Sequence, residues 1–214
     1  IILQMMQESA HFLSTPPINR ERAQRGLNPA NSIWIWGQGK KPLLPSFFDL
    51  YGLKGAVISA VDLVKGLGLS AGMESIDVEG ATGTLDTNYD GKVNAALQAL
   101  KEGKDFVYVH IEAPDECGHR GEVDNKVRAI ELIDEKVINP LLKGLEHYDD
   151  YKLMVLPDHA TPLSIKTHSS DPVPYVMIRK SEQKLSGITC YDEVSAKNSG
   201  IQHESGPTLL KRFL

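Results

Sequence analysis

The sequence predicts an α/β protein whose core is a mostly parallel sheet covered by helices. Three observations carry that prediction. Short apolar runs of strand length alternate with amphipathic segments of helix length, the pattern of βαβ units. The run at 105–111, Asp-Phe-Val-Tyr-Val-His-Ile, is apolar on both faces, as a central parallel strand is. Asp and His residues collect at strand ends, where ligands of open α/β sheets gather.

Taken in order, Ile1 to Leu13 is apolar at helical spacing and stops before Thr15, Pro16 and Pro17, because consecutive prolines force an extended or turn backbone. A basic stretch from Asn19 to Arg25 leads through Gly26, Pro29 and Asn31 to the aromatic run Ser32 to Trp36, which reads as β-like. That run ends in the loop Gly37-Gln38-Gly39-Lys40-Lys41-Pro42, whose glycines permit close backbone approach and whose lysines suit an anion. Phe47 to Tyr51 reads as a helix, Gly55 to Ser59 as a buried strand, Val61 to Leu67 as a helix and Met73 to Val78 as a strand. Lys92 to Glu102 is helical, with Val93, Ala96, Leu97 and Leu100 on one face. Beyond the 105–111 strand, a helix from about Glu122 to Leu145 repeats Val123, Val127, Ile130, Ile133, Val137 and Leu141 at three and four residues as one apolar stripe. Leu153 to Leu156 and Val173 to Ile178 are the remaining strands, and the polar tail from about Lys180 ends in a short basic-apolar helix.

Composition narrows the function classes. With 41% hydrophobic and 24% charged residues over 214 positions, there is apolar material for a packed core of one domain, or one domain and part of a second. A formal charge of −5 without a Lys/Arg stripe argues against a nucleic-acid partner, because displacing counterions from phosphates needs a basic footprint. No run approaches the ~20 apolar residues of a membrane span. Two distant cysteines, Cys117 and Cys190, fit a reducing compartment, so a cytoplasmic location is expected. The chain opens with Ile1 instead of Met, so a processed chain or a piece of a longer one is expected.

The chemistry sits beyond the strands. Asp115 and His119 follow the 105–111 strand, Asp158 and His159 follow the strand ending at Leu156, and His168 lies just before the 173–178 strand. Any one of these has an ordinary structural role, an Asp as a helix N-cap or a His as a hydrogen-bonded core residue. Together they make five oxygen and nitrogen donors suited to Mn²⁺ or Zn²⁺, more than one tetrahedral ion needs and enough for a two-metal clamp of the phosphoryl-transfer type. His110, on the face of Phe106 and Tyr108, reads as a core histidine; His11, His147 and His203 read as surface residues, and Cys117 as a small filler.

The runs GLNPANSIWIWGQG (26–39), GAVISAVDLVKGLG (55–68), GATGTLDTNYDGK (80–92), HIEAPDECGHRG (110–121), LPDHATP (156–162) and THSSDPVP (167–174) resemble the archaeal-type, 2,3-bisphosphoglycerate-independent phosphoglycerate mutases of the alkaline phosphatase superfamily. The resemblance implies an alkaline-phosphatase-like three-layer core, incomplete at its N-terminus. It also implies two divalent ions, Mn²⁺ or Mg²⁺ and in some relatives Zn²⁺, with no requirement for 2,3-bisphosphoglycerate. Asp115, His119 and His168 would hold one ion, and Asp158 with His159 the other. A Ser upstream of Ile1 would carry the phosphoryl group as phosphoserine between 3- and 2-phosphoglycerate, and Arg25 and Lys65 would clamp substrate. Residues 1–40 would close a substrate-capping domain, and 41–214 would be the C-terminal part of the metal-binding domain, inactive alone. Two alternatives are a metal-dependent phosphatase or phosphodiesterase on the same ligands and a non-catalytic, metal-stabilised module; the sequence sets no oligomeric state.

Overall fold

The computed structural model describes residues 1–37, 39–182 and 186–214. It divides into two compact units, Ile1–Leu43 and Leu44–Leu214. In the first, helix α1 (Ile2–Leu13) ends before the prolines, and α2 (Pro17–Gln24) begins with Pro17, whose missing N–H costs a first-turn position nothing. Two buried polar side chains hold this unit. Asn19 donates to the Leu13 and Ala30 carbonyls and accepts from Ala30 N–H, and Ser9 Oγ accepts from Ile33 N–H at 2.9 Å. Here the β-like reading of 32–36 is corrected: the segment is in no strand, Ile33 and Ile35 N–H bond instead to Ser9 Oγ and Met6 Sδ of α1, and Trp34 and Trp36 are exposed. Of the expected 37–42 loop, Gln38 lies outside the described residues.

The second unit carries the α/β core. Helix α3 (Phe47–Tyr51), capped by Ser46, leads to β1 (Gly55–Ile58), then α4 (Asp62–Ser70), β2 (Glu74–Ile76), α5 (Tyr89–Lys101) and β3 (Phe106–Val109). These strands form a parallel sheet in the order β2-β1-β3, with Ala56 opposite Glu74 on one side and Val107 on the other. Among the described residues β1, buried at every residue, is the central strand and β3 pairs with β1 alone, so the 105–111 run, expected to be central, stands at an edge with Tyr108 exposed. The main core joins Ile58 of β1 to Tyr89, Val93 and Ala96 of α5 and to Leu132, Val137 and Leu141 beyond.

Next come α6 (Ala113–Arg120), α7 (Val123–Ile133), a π-helical turn (Asp134–Ile138) and α8 (Asn139–Leu145). The sequence suggested one helix from 122 to 145. Pro140 supplies the reason for the π turn, since it has no N–H for the usual bond four residues back; Asn139 N–H bonds to the Asp134 carbonyl. The apolar stripe divides at the same place, Val137 and Leu141 being buried while Val123, Val127 and Ile130 are exposed.

Strands β4 (Lys152–Val155) and β5 (Val176–Arg179) make a separate antiparallel pair, Met154 facing Met177. The C-terminal end of β4 thus lies beside the N-terminal end of β5, which brings the 157–159 and 167–171 segments together. Residues along β3 and β4, Val107 and Val109 among them on one side and Leu153 and Val155 on the other, line a cavity of about 960 Å³. Helices α9 (Glu193–Asn198) and α10 (Gly206–Phe213) close the chain, and Leu209 and Phe213 are buried. No helix among the described residues is long and apolar enough to cross a membrane.

Asp150 fastens the β4–β5 pair, accepting from Arg179 Nε at 2.7 Å, Ser181 N–H at 3.1 Å and Ser181 Oγ at 3.0 Å. The Arg179 bond is the main reason its carboxyl is held down at about 2, below its ordinary 3.8. A depressed carboxyl stabilises the fold above its unfolded pKa and loses that contribution as pH falls through the folded value. Urea melts of the wild type are therefore expected to lose midpoint more steeply between about pH 4 and pH 2 than melts of Asp150→Asn, which has no carboxylate to titrate.

Candidate metal centre

Helix α6 does the first part of the assembly. Asp115 and His119 are four residues apart and so share one face. Pro114 sits in the first turn, the acidic residues Asp115 and Glu116 lie at the positive end of the helix dipole, and His119 and Arg120 lie at the negative end. Gly121, at φ 71, ends the helix in the left-handed conformation. Residues 113–120, to which the sequence pattern assigns no element, form a helix, and the helix fixes the Asp115–His119 spacing.

The second part comes from the segment after β4. Ser169 N–H bonds to the Ala160 carbonyl at 3.0 Å in an isolated bridge, which lays His168 beside His159 with ring centroids 3.7 Å apart. Gly118 lets α6 approach this segment. A Cβ there would stand 2.7 Å from the Thr161 carbonyl oxygen and 2.9 Å from Lys126 Nζ, and that ammonium already donates to the same carbonyl at 2.7 Å.

One group of three donors results. His119 Nε2 is 3.3 Å from Asp115 Oδ2 and 3.1 Å from His168 Nε2, and His168 Nε2 is 3.3 Å from Asp115 Oδ1. His119 Nδ1 faces the Lys166 carbonyl at 3.0 Å, which can only accept, so Nδ1 carries the proton and a neutral ring leaves Nε2 bare. A bare nitrogen aimed at a carboxylate oxygen is repulsive unless a cation or proton lies between them. At metal–ligand bonds of ~2.1 Å, donors on the edge of a tetrahedron stand about 3.4 Å apart and those on an octahedral edge about 3.0 Å. The three separations fall in that range, so this residue set fits a divalent ion. Lys166 presents its carbonyl from φ 54, a left-handed conformation that costs a non-glycine residue ~1–2 kcal/mol.

Asp158 and His159 lie alongside. His159 Nε2 is 3.5 Å from Asp158 Oδ2, and Asp158 is well exposed. Among the described residues these two are not part of a further group of three converging donors. Thr161, buried at 5% exposure, donates its hydroxyl to Asp115 Oδ1 and lies 3.3 Å from His159 Nδ1. Lys65 is engaged by Asp77 at 2.7 Å, and that hydrogen bond pushes its pKa up; Arg25, in the first unit, pairs with Glu21 at 3.6 Å. His110 bonds to Ser59 Oγ at 3.2 Å, and burial lowers its pKa, as suits a core histidine. Cys117 is fully buried in α6, away from the donor face, and burial pushes its thiol up.

Sequence reasoning missed Thr161, Lys126, Gly118 and the Lys166 carbonyl. Thr161 stands two residues beyond His159, yet a Thr in a loop carries no ligand signal of its own. The other three act through tertiary contacts.

A family model described as the metalloenzyme superfamily matches residues 3–214. The 2,3-bisphosphoglycerate-independent phosphoglycerate mutase of Methanothrix thermoacetophila is 51% identical over the whole chain, which covers 54% of that protein. A probable enzyme of the same name from Geobacter sulfurreducens is 48% identical, with 53% of its length covered. This chain thus spans about half the length of the curated relatives it matches. A Pyrococcus horikoshii protein of known structure superposes over 90% of this chain and 50% of its own, with a TM-score of 0.73 at 28% identity. The cofactor-independent phosphoglycerate mutase of Thermoplasma acidophilum covers 97% of this chain and 49% of its own, with a TM-score of 0.58 at 25% identity.

Gly118→Ala tests the close approach of α6. The added methyl meets a backbone oxygen that has no rotamer to yield, so a loss of ~1–3 kcal/mol in urea unfolding is expected, together with weaker Mn²⁺ binding by calorimetry.

Proposed function

The chain belongs to the metalloenzyme superfamily, and on that premise we propose that it is the metal-holding, C-terminal portion of a cofactor-independent phosphoglycerate mutase. The reaction is the interconversion of 3-phosphoglycerate and 2-phosphoglycerate in glycolysis. The observation that carries this reading is the convergence of Asp115, His119 and His168 in a chain about half identical to proteins named for that activity.

Asp115, His119 and His168 hold one divalent ion, and Asp158 and His159 contribute to a second; Mn²⁺, Mg²⁺ and Zn²⁺ all suit such oxygen and nitrogen donors. Bound there, the ions supply the positive charge that offsets developing charge on phosphoryl oxygens. The chain's own part is to hold Nε2 of His119 bare through the Lys166 carbonyl and to keep the Asp115 carboxylate oriented through Thr161. The Ser that carries the phosphoryl group as phosphoserine belongs, in this reading, to polypeptide outside these 214 residues. Support comes from the relatives' greater length, of which this chain spans about half. Ile1–Leu43, compact by itself, is read as the end of a substrate-capping domain. Arg25 and Lys65 remain the proposed substrate clamps, and Lys65 must exchange Asp77 for substrate to serve as one. A glycolytic substrate and two free cysteines favour the cytoplasm.

The test is the full-length gene product assayed with Mn²⁺ for 2-phosphoglycerate formation. Mutase activity is expected, with Asp115→Asn and His119→Ala each losing more than about 100-fold, while the 214-residue chain binds Mn²⁺ without turnover. Release of inorganic phosphate with no 2-phosphoglycerate would overturn the mutase reading in favour of a hydrolase. Turnover by the isolated chain would overturn the portion reading.

A further inference from the structure

We propose that Tyr191 is a positioning residue for the metal centre, its hydroxyl tying together the two segments that carry Asp158, His159 and His168 where the β4–β5 ladder can no longer do so. This rests on the reading of that centre proposed above and adds to it a residue of the C-terminal tail, outside every segment that holds a donor.

Prolines open the gap. Strands β4 and β5 pair from Lys152 opposite Arg179 to Val155 opposite Val176. Carried on by two residues, the same register sets Pro157 against Pro174, and neither has an N–H to give. The ladder stops there. Among the described residues, the next main-chain tie between the two segments is the bond from Ser169 N–H to the Ala160 carbonyl. Asp158 and His159 lie between these two ties, and His168 adjoins the second.

Tyr191 bridges the gap from the side. Its hydroxyl donates to the Pro174 carbonyl at 3.0 Å and lies 3.3 Å from the Val155 carbonyl, so one proton spans the end of β4 and the approach to β5. Burial at the hydroxyl end, with Glu193 adding to it, pushes the phenol up to about 12, and the donor proton is kept throughout the neutral range. The next residue, Asp192, accepts from Ser195 N–H at 2.6 Å as the cap of α9, which fixes the backbone from which Tyr191 reaches. A second hold of the tail on β4 lies at the other end of the strand, where Lys152 Nζ donates to the Phe213 and Leu214 carbonyls at 2.8 Å each.

With the tie in place the two segments hold their shape before an ion arrives. Without it, ordering them is left to the ion. Tyr191→Phe keeps the ring and removes the hydroxyl, and calorimetric titration of the folded chain should then show Mn²⁺ binding about 3–10-fold weaker, the net worth of one hydrogen bond. Amide exchange on the metal-free chain reads the tie itself, and Ser169 N–H should exchange about 3–10-fold faster in Tyr191→Phe. Lys152→Met loosens the same tail away from the gap, so it should lower the urea midpoint and leave Mn²⁺ affinity within about twofold of wild type. A merely stabilising Tyr191 would behave as Lys152 does.

Wild-type Ser169 exchange in Tyr191→Phe, wild-type Mn²⁺ affinity in the same variant, or an equal loss of affinity in Lys152→Met overturns the proposal. A wild-type chain that takes up no Mn²⁺ overturns the metal-centre reading instead. The exchange measurement needs no metal and still decides whether Tyr191 holds the two segments.

Discussion

The centre depends on how closely α6 packs against the segment that follows β4. Gly118 is the point of contact, with no side chain between the helix and the Thr161 carbonyl, and Lys126 closes over the same oxygen. Asp115 and His119 are fixed to each other by the helix, His168 and His159 by the Ala160–Ser169 bridge, and the packing at Gly118, with the Thr161–Asp115 and Lys166–His119 hydrogen bonds, sets one pair against the other.

Charge is managed around this contact. Glu112, Asp115 and Glu116 crowd the start of α6, where the helix dipole favours anions. Burial, with the two acidic neighbours, still pushes the Glu112 carboxyl up. Lys92 of α5, 1% exposed, reaches beneath the turn and donates to the His110 carbonyl at 3.1 Å. Burial lowers its pKa, while Glu112 draws it back toward the charged form. A buried ammonium is costly by itself, and here it anchors the end of β3 from which α6 departs.

Much of this was legible in the chain. The helices at 2–13, 47–51 and 89–101 and the buried β1 follow from apolar spacing and from Pro and Gly punctuation, which act locally. The convergence of Asp115, His119 and His168 was foreshadowed because Asp and His near strand ends are a chemical pattern as well as a structural one. What stayed hidden depends on distant partners. Residues 32–36 have strand composition but bond to α1, and 105–111 has the apolar content of a central strand but pairs on one edge. The helix that carries Asp115 was not legible, because Ala-Pro-Asp-Glu-Cys-Gly-His-Arg has neither a long apolar stripe nor a side-chain cap. The Lys166 carbonyl was invisible in principle, since every residue has one.

His119 and His168 stand 49 positions apart in the chain. A cation bridging them, as proposed, would act as a cross-link across that length of chain. By the loop-closure argument used for cross-links, restraining ~50 residues of unfolded polypeptide is worth about 4 kcal/mol. That is a large share of an ordinary domain's net stability. Ion supply would then govern how long the chain survives proteolysis as well as what chemistry it supports.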